Sequence, residues 1–190
     1  MKSEKQHLFI VAGANGSGKS TFCSEFLQVK QIPFLNADEI AKEICPENME
    51  SVAIAAGKEL YKRLDKVFEN KESFAIESTL AGKNYIRVIQ KAKELNYEIT
   101  LIYVFLENEN VCINRVRTRV LKGGHNVPEE DIKRRYFRSK YNFWNLYKDL
   151  VDNWEIYYNS GAGFVQVAKS FNKEFEIINE IFYKNFIEEL

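Results

Sequence analysis

The sequence predicts an α/β fold, a mostly parallel sheet of five to six strands with helices on both faces. Three observations predict it. Short apolar runs such as HLFIVA (residues 7–12) and ITLIYVFL (residues 99–106) alternate with longer amphipathic stretches, as parallel strands joined by helices do. The first run leads at once into Gly13-Ala14-Asn15-Gly16-Ser17-Gly18-Lys19-Ser20-Thr21, a glycine-rich turn ahead of a helix. Acidic residues, Asp38 and Glu77, follow the second and third runs, and the carboxyl ends of parallel strands are where such sheets bind ligands.

Taken in order, residues 7–12 form a buried strand, and Phe22, Phe26 and Val29 at helical spacing place a helix after the glycine turn. Residues 32–36 (IPFLN) form a second strand ending in Ala37-Asp38. Residues 50–70 form a helix with Ile54, Leu60, Leu64 and Val67 on its inner side. Residues 73–76 give a third strand, closed by Glu77-Ser78-Thr79, and residues 83–95 a further helix. The run at 99–106 is apolar on both faces and belongs at the centre of the sheet. Residues 109–121 are helical and stop at Gly123-Gly124. Pro128 with Glu129, Glu130 and Asp131 opens the next helix, along which Phe137, Tyr141, Trp144 and Val151 form an expected core stripe. Residues 154–158 and 164–168 read as strands around Gly161 and Gly163, and residue 172 onward as a last helix.

Length and composition bound the function. At 190 residues the chain is expected to form a single domain, residues 1–190, large enough for a real core. Lys plus Arg and Asp plus Glu both total 27, so no global field draws it to nucleic acid or a membrane. The longest apolar runs are too short to cross a bilayer, and the charged N-terminus does not read as a secretory leader. Cys23, Cys45 and Cys112 are isolated and odd in number, which points to a reducing cytoplasm and away from disulfides or zinc. With His7 and His125 the only histidines, a histidine-rich metal site is excluded.

Residues 13–21 satisfy G-x-x-x-x-G-K-[ST], the phosphate loop (P-loop) of NTPases. Its backbone N–H groups and the following helix N-terminus cradle a polyphosphate. Lys19 is expected between the β- and γ-phosphates of ATP or GTP, with the Ser20 hydroxyl on Mg²⁺. Asp38 is placed to accept the proton of a substrate hydroxyl attacking the γ-phosphate, or else to cap the helix at Glu39-Ile40-Ala41. A ribose-binding role fails because the glycine spacing does not fit G-x-G-x-x-G. Glu77 is a candidate for holding a Mg²⁺-bound water or a substrate hydroxyl, with capping as its alternative, and Thr79 is a further substrate contact.

Residues 113–140 carry nine basic residues against three acidic ones, in a chain of zero net charge. The glycines of Lys122-Gly123-Gly124-His125-Asn126-Val127-Pro128 suggest a hinge. The expectation is a lid over about residues 119–130 that brings arginines onto the phosphates, with Arg119 and Arg135 the leading catalytic choices and His125 a lid contact to substrate. A solvated helix face or a nucleic-acid patch is the alternative. Asn159 to Gly163 (NSGAG) stands where a loop over adenine is common in P-loop kinases.

These pieces together resemble the zeta-toxin-like P-loop kinases. The likeness is carried by residues 13–21, by Asn36-Ala37-Asp38-Glu39-Ile40-Ala41, by Ile76-Glu77-Ser78-Thr79-Leu80-Ala81-Gly82, and by Gly123-Gly124-His125-Asn126-Val127-Pro128-Glu129 through Arg134-Arg135-Tyr136. It is greatest for the short bacterial branch, whose members are labelled only as predicted ATPases. The resemblance implies ATP or GTP with Mg²⁺, a base at Asp38, substrate contacts near Glu77 and arginines on the lid. Zeta toxins phosphorylate UDP-N-acetylglucosamine and are held inactive by an antitoxin. Here His125-Asn126 stands where their pattern carries an arginine. The expected function is therefore transfer of a γ-phosphoryl group to a hydroxyl of a small metabolite, a UDP-amino-sugar among the candidates, with an antitoxin as a possible protein partner. The alternatives are a polynucleotide 5′-hydroxyl kinase and an NTP-gated interaction module without kinase activity.

Overall fold

The computed structural model describes residues 5–188 and 190, with backbone alone for residues 26–30. The N-terminal residues 1–4 and the inward side chains expected of Phe26 and Val29 therefore lie outside the described residues. Along the chain come β1 (His7–Ala12), α1 (Lys19–Lys30), β2 (Phe34–Leu35), α2 (Ala37–Ile44), α3 (Ala53–Glu69), β3 (Phe74–Ser78) and α4 (Tyr85–Glu94). They are followed by β4 (Glu98–Phe105), α5 (Glu109–Leu121), α6 (Glu129–Asn142), β5 (Asn153–Asn159), β6 (Phe164–Phe171), β7 (Glu174–Ile177) and α7 (Glu180–Ile187). The sheet order is β2-β3-β1-β4-β5-β6-β7. The first five strands pair in parallel, and β6 and β7 return antiparallel.

The α/β class and the central β4 agree with the sequence, and among the described residues the sheet has seven strands, one more than the five to six expected. The extra strand is β7, in a region that reads as the start of the last helix. Asn172 and Lys173 both take positive φ, 50° and 69°, which is the two-residue turn a tight hairpin needs. Residues 174–177 therefore fold back on β6, pairing Ala168 with Ile177 and Phe171 with Glu174.

Leu8, Ile10 and Ala12 of β1 join residues of α2, α3, α4 and α7 in one core, while Val11 packs with Phe22, Cys23, Ile102 and Val104 in another. The alternation of side chains along a strand sends them to opposite faces of the sheet, so helices cover both. A third cluster, with Ala14, Cys112, Ile113, Val127, Ile132 and Tyr136, ties α5 and α6 to the glycine turn.

Two helical stripes differ from expectation. On α3 the buried residues are Ala56, Leu60, Leu64, Val67 and Phe68, and Ile54 is 80% exposed. Two residues of helix rotate a side chain by about 200°, which carries Ile54 from the stripe to solvent. On α6 the inner face is Ile132, Tyr136, Ser139 and Lys140, leaving Phe137 and Tyr141 exposed.

All three cysteines are free; Cys23 and Cys112 are buried and Cys45 is partly exposed. Burial pushes the Cys23 and Cys112 thiols up to about 12, so near pH 8 they carry little thiolate, the form that reacts. A chromogenic disulfide reagent at pH 8 is expected to titrate Cys45 promptly in the folded protein and the other two only on unfolding. Three fast thiols in the native state would contradict this packing.

Candidate phosphate-binding cleft

The glycine turn is built by its neighbours as much as by its own sequence. Gly16 sits at φ 82°, and a Cβ there would fall 2.5 Å from the Cys112 carbonyl oxygen. Only glycine accepts both the backbone conformation and the contact with α5. The turn closes with the Ser17 N–H on the Ala14 carbonyl at 3.2 Å, and α1 begins at Lys19. Its N-terminal N–H groups and partial positive charge are thereby set at the carboxyl end of β1.

Parallel register aligns three strand ends. Leu35 pairs with Ile76, and Val11 with Glu77. Asn36, Asp38, Glu77, Ser78 and Thr79 consequently share one cleft of about 420 Å³ with Asn15 and Lys19. Tyr85 from α4 and Arg134, Arg135 and Arg138 from α6 complete it.

Glu77 is the hub. Its side chain is 10% exposed, and its carboxylate accepts from Ser20 Oγ at 3.0 and 3.2 Å and from Asn36 Nδ2 at 3.0 Å. The Lys19 ammonium lies 3.8 Å from it and donates to the Ala14 carbonyl at 2.9 Å. Asn36, not Asp38, is the N-cap of α2: its Oδ1 accepts from the Asp38 N–H at 2.7 Å. Asp38 lies in the first turn, exposed, its carboxylate holding no hydrogen bond or ion pair among the described residues. Thr79 Oγ1 accepts from the Ala81 N–H at 3.4 Å and lines the cleft. Burial pushes the Tyr85 phenol up to about 12, so it keeps its proton near neutral pH.

The basic block divides. Arg135 donates to Asn15 Oδ1 at 3.2 Å, linking α6 to the glycine turn, and pairs with Asp131 at 3.2 Å. Arg134 pairs with the other Asp131 oxygen at 2.8 Å. Arg119 instead donates to the His125 carbonyl at 2.7 Å and stands apart from the cleft lining. Residues 119–130 comprise the last turn of α5, a loop and the first residues of α6. Gly123, at φ 81°, ends α5 with its N–H on the Val120 carbonyl, and Gly124 N–H reaches the Arg119 carbonyl, the paired helix stop expected of two glycines. His125 lines a neighbouring hollow of about 320 Å³ that shares Asp38 and Arg135 with the cleft.

Sequence reasoning singled out Lys19, Asp38, Glu77, Thr79 and Arg135, which the fold brings together. It missed Asn36 and Tyr85. An asparagine followed by Ala-Asp-Glu is a helix-start signal that points to Asn36; nothing local marks Tyr85. On the far side of the turn, Asn159 Nδ2 donates to the Ser17 carbonyl at 2.9 Å, and the place of a Cβ on Gly161 lies 3.5 Å from Arg115 Nη2.

An uncharacterized protein of Haemophilus influenzae is 34% identical over 124 residues, covering 65% of this chain and 88% of that one. The structure of AvrRxo1-ORF1:AvrRxo1-ORF2 with ATP superposes with a TM-score of 0.77 at 16% identity, over 96% of this chain and 63% of that chain. This chain thus spans less than two thirds of that one. The PezAT chromosomal toxin–antitoxin system of Streptococcus pneumoniae superposes with a TM-score of 0.67 at 14% identity, over 100% of this chain and 87% of that chain. These structures share the α/β P-loop fold, and among the described residues no helix is long and apolar enough to cross a membrane. The match that spans residues 8–139 is to AAA_33, an AAA domain family, and to that family this protein belongs.

Proposed function

We propose that this protein is a P-loop kinase that moves the γ-phosphoryl group of ATP or GTP to a hydroxyl of a small metabolite. The observation that carries the reading is convergence: Asn15 of the glycine turn, Lys19, Asp38, Glu77 and three arginines of α6 line one cleft, and Ser20 is hydrogen-bonded to Glu77. In this reading the N–H groups of residues 13–21 and the Lys19 ammonium hold the triphosphate. The base lies toward Arg115 and the turn at residues 159–163.

Mg²⁺ fits the residues present. Ser20 Oγ and the Glu77 carboxylate are adjacent hard oxygen donors, the set this ion accepts alongside phosphate oxygens and waters. When bound, Mg²⁺ would neutralise charge on the phosphates. Ser20 would ligate it and Glu77 would hold one of its waters.

Asp38 accepts the proton as the acceptor oxygen bonds to the γ-phosphorus. The bond from that phosphorus to the bridging oxygen breaks, and the nucleoside diphosphate leaves. Arg135, anchored on Asn15, and Arg134 and Arg138 beside it meet the charge on the phosphoryl oxygens. Arg119 acts through the His125 carbonyl, shaping a lid over about residues 119–130. His125, Thr79 and the hollow beside Asp38 receive the acceptor.

Arg134, Arg135 and Arg138 line the cleft, Arg134 and Arg138 with exposed side chains; the cleft's volume of about 420 Å³ is what favours a small acceptor over a polynucleotide. The likeness to the PezAT toxin–antitoxin system supports a zeta-toxin-like role, with a UDP-amino-sugar as a first acceptor to test and an antitoxin as partner. A metabolite extract incubated with ATP and the protein, followed by mass spectrometry, should give a phosphorylated product and name the acceptor. Nucleotide binding without product would favour an interaction module.

Two variants test the roles. Asp38→Asn is expected to lower turnover by about 10²–10⁴-fold, the range of a general base, while ATP affinity persists; full turnover would remove Asp38 from the chemistry. Glu77→Gln is expected to raise the Mg²⁺ concentration for half-maximal activity by about 10–100-fold, as loss of an outer-shell partner does. An unchanged Mg²⁺ dependence would contradict the metal assignment.

A further inference from the structure

We infer that Asn159, the last residue of β5, is a positioning residue that sets the shape of the phosphate loop from behind; the inference rests on the nucleotide reading above. Asn159 is 8% exposed, and both ends of its amide are engaged. Nδ2 donates to the Ser17 carbonyl at 2.9 Å, and Oδ1 accepts from the Gly161 N–H at 3.1 Å. Reversing the amide would break both bonds, so its orientation is fixed.

The Ser17 carbonyl belongs to the same planar peptide unit as the Gly18 N–H. In a trans peptide the two point in opposite directions. Holding the carbonyl toward Asn159 therefore fixes where the Gly18 N–H points, and that donor is one the phosphates need. The third glycine of the motif has a matching requirement. Gly18 sits at φ 98°, and a Cβ there would fall 2.1 Å from Asn159 Nδ2. The amide occupies the space that the absent side chain leaves.

Through its oxygen Asn159 also holds the turn at residues 159–163, in which Gly161 lies close to the Arg115 guanidinium. Phe164, just past that turn, packs edge-on against Phe22 of α1 at 5.1 Å between centroids. A single buried amide thus joins the phosphate loop to the β5–β6 turn, where the nucleotide reading places the base. Neither hydrogen-bond partner, Ser17 or Gly161, lines the cleft that holds Asp38.

The test compares native protein with Asn159→Asp, which keeps the shape but sets an oxygen against the Ser17 carbonyl, and Asn159→Ala, which removes the amide and adds no charge. Calorimetric titrations use ATP and, separately, inorganic tripolyphosphate, which has no base, with thermal unfolding measured in parallel. Each folded variant is expected to lose about tenfold in affinity for both compounds, the scale of one well-placed hydrogen bond that orients a charged ligand. Tripolyphosphate affinity unchanged in a folded variant would overturn the inference, as would both variants failing to fold, since the residue would then be structural only. Native protein that binds neither compound would overturn the nucleotide reading itself, and the inference with it.

Discussion

A single carboxylate, that of Glu77, holds the working end of this sheet in register. It is nearly withdrawn from water, and a withdrawn charge is costly unless it is paired and hydrogen-bonded. Its partners come from two separate elements: Lys19 and Ser20 from the start of α1, and Asn36 from the corner before α2. The strand that carries Glu77 lies between β1 and β2, so one anion ties the phosphate loop to the segment bearing Asp38. The same groups are those a phosphate and its metal would claim. The residues that hold the cleft together are, in this reading, the residues that exchange partners on binding.

The second wall depends on how α6 is docked. Tyr136 donates to the Leu106 carbonyl at 3.1 Å, and the buried Tyr103 hydroxyl donates to Ser139 Oγ at 3.0 Å. With that face fixed inward, Arg134, Arg135 and Arg138 fall on the side toward the cleft. Asp131 draws two of them together. The arginines are thus supplied by a packed helix, and Val127 of the glycine-containing loop before it is buried in the cluster that α5 and α6 share.

What the sequence made legible follows from where the physics is local. A phosphate loop needs glycines at fixed spacing because the backbone itself turns there, and that constraint is written in nine consecutive residues. Asp38 and Glu77 were visible because parallel strands end where ligands bind. The misses arose where tertiary contacts decide. Ile54 looks like part of a stripe, but the stripe is set by which helical face meets the sheet, two positions away. Phe137 and Tyr141 failed in the same way beside Tyr136. The strand β7 was hidden because Asn172-Lys173 lacks the glycine that usually marks a two-residue hairpin. Arg119 and Arg135 were equivalent in sequence, and only the docking of α6 separates them.

The central claim is that the glycine turn with Lys19 grips a triphosphate. Calorimetric titration of Mg·ATP into native protein and into Lys19→Met tests it most directly. Saturable binding by the native protein and loss of at least about tenfold in the variant are expected, since a buried charge-assisted contact is worth about 1.5–3 kcal/mol. Equal affinity in the two proteins, or no binding by either, would contradict it.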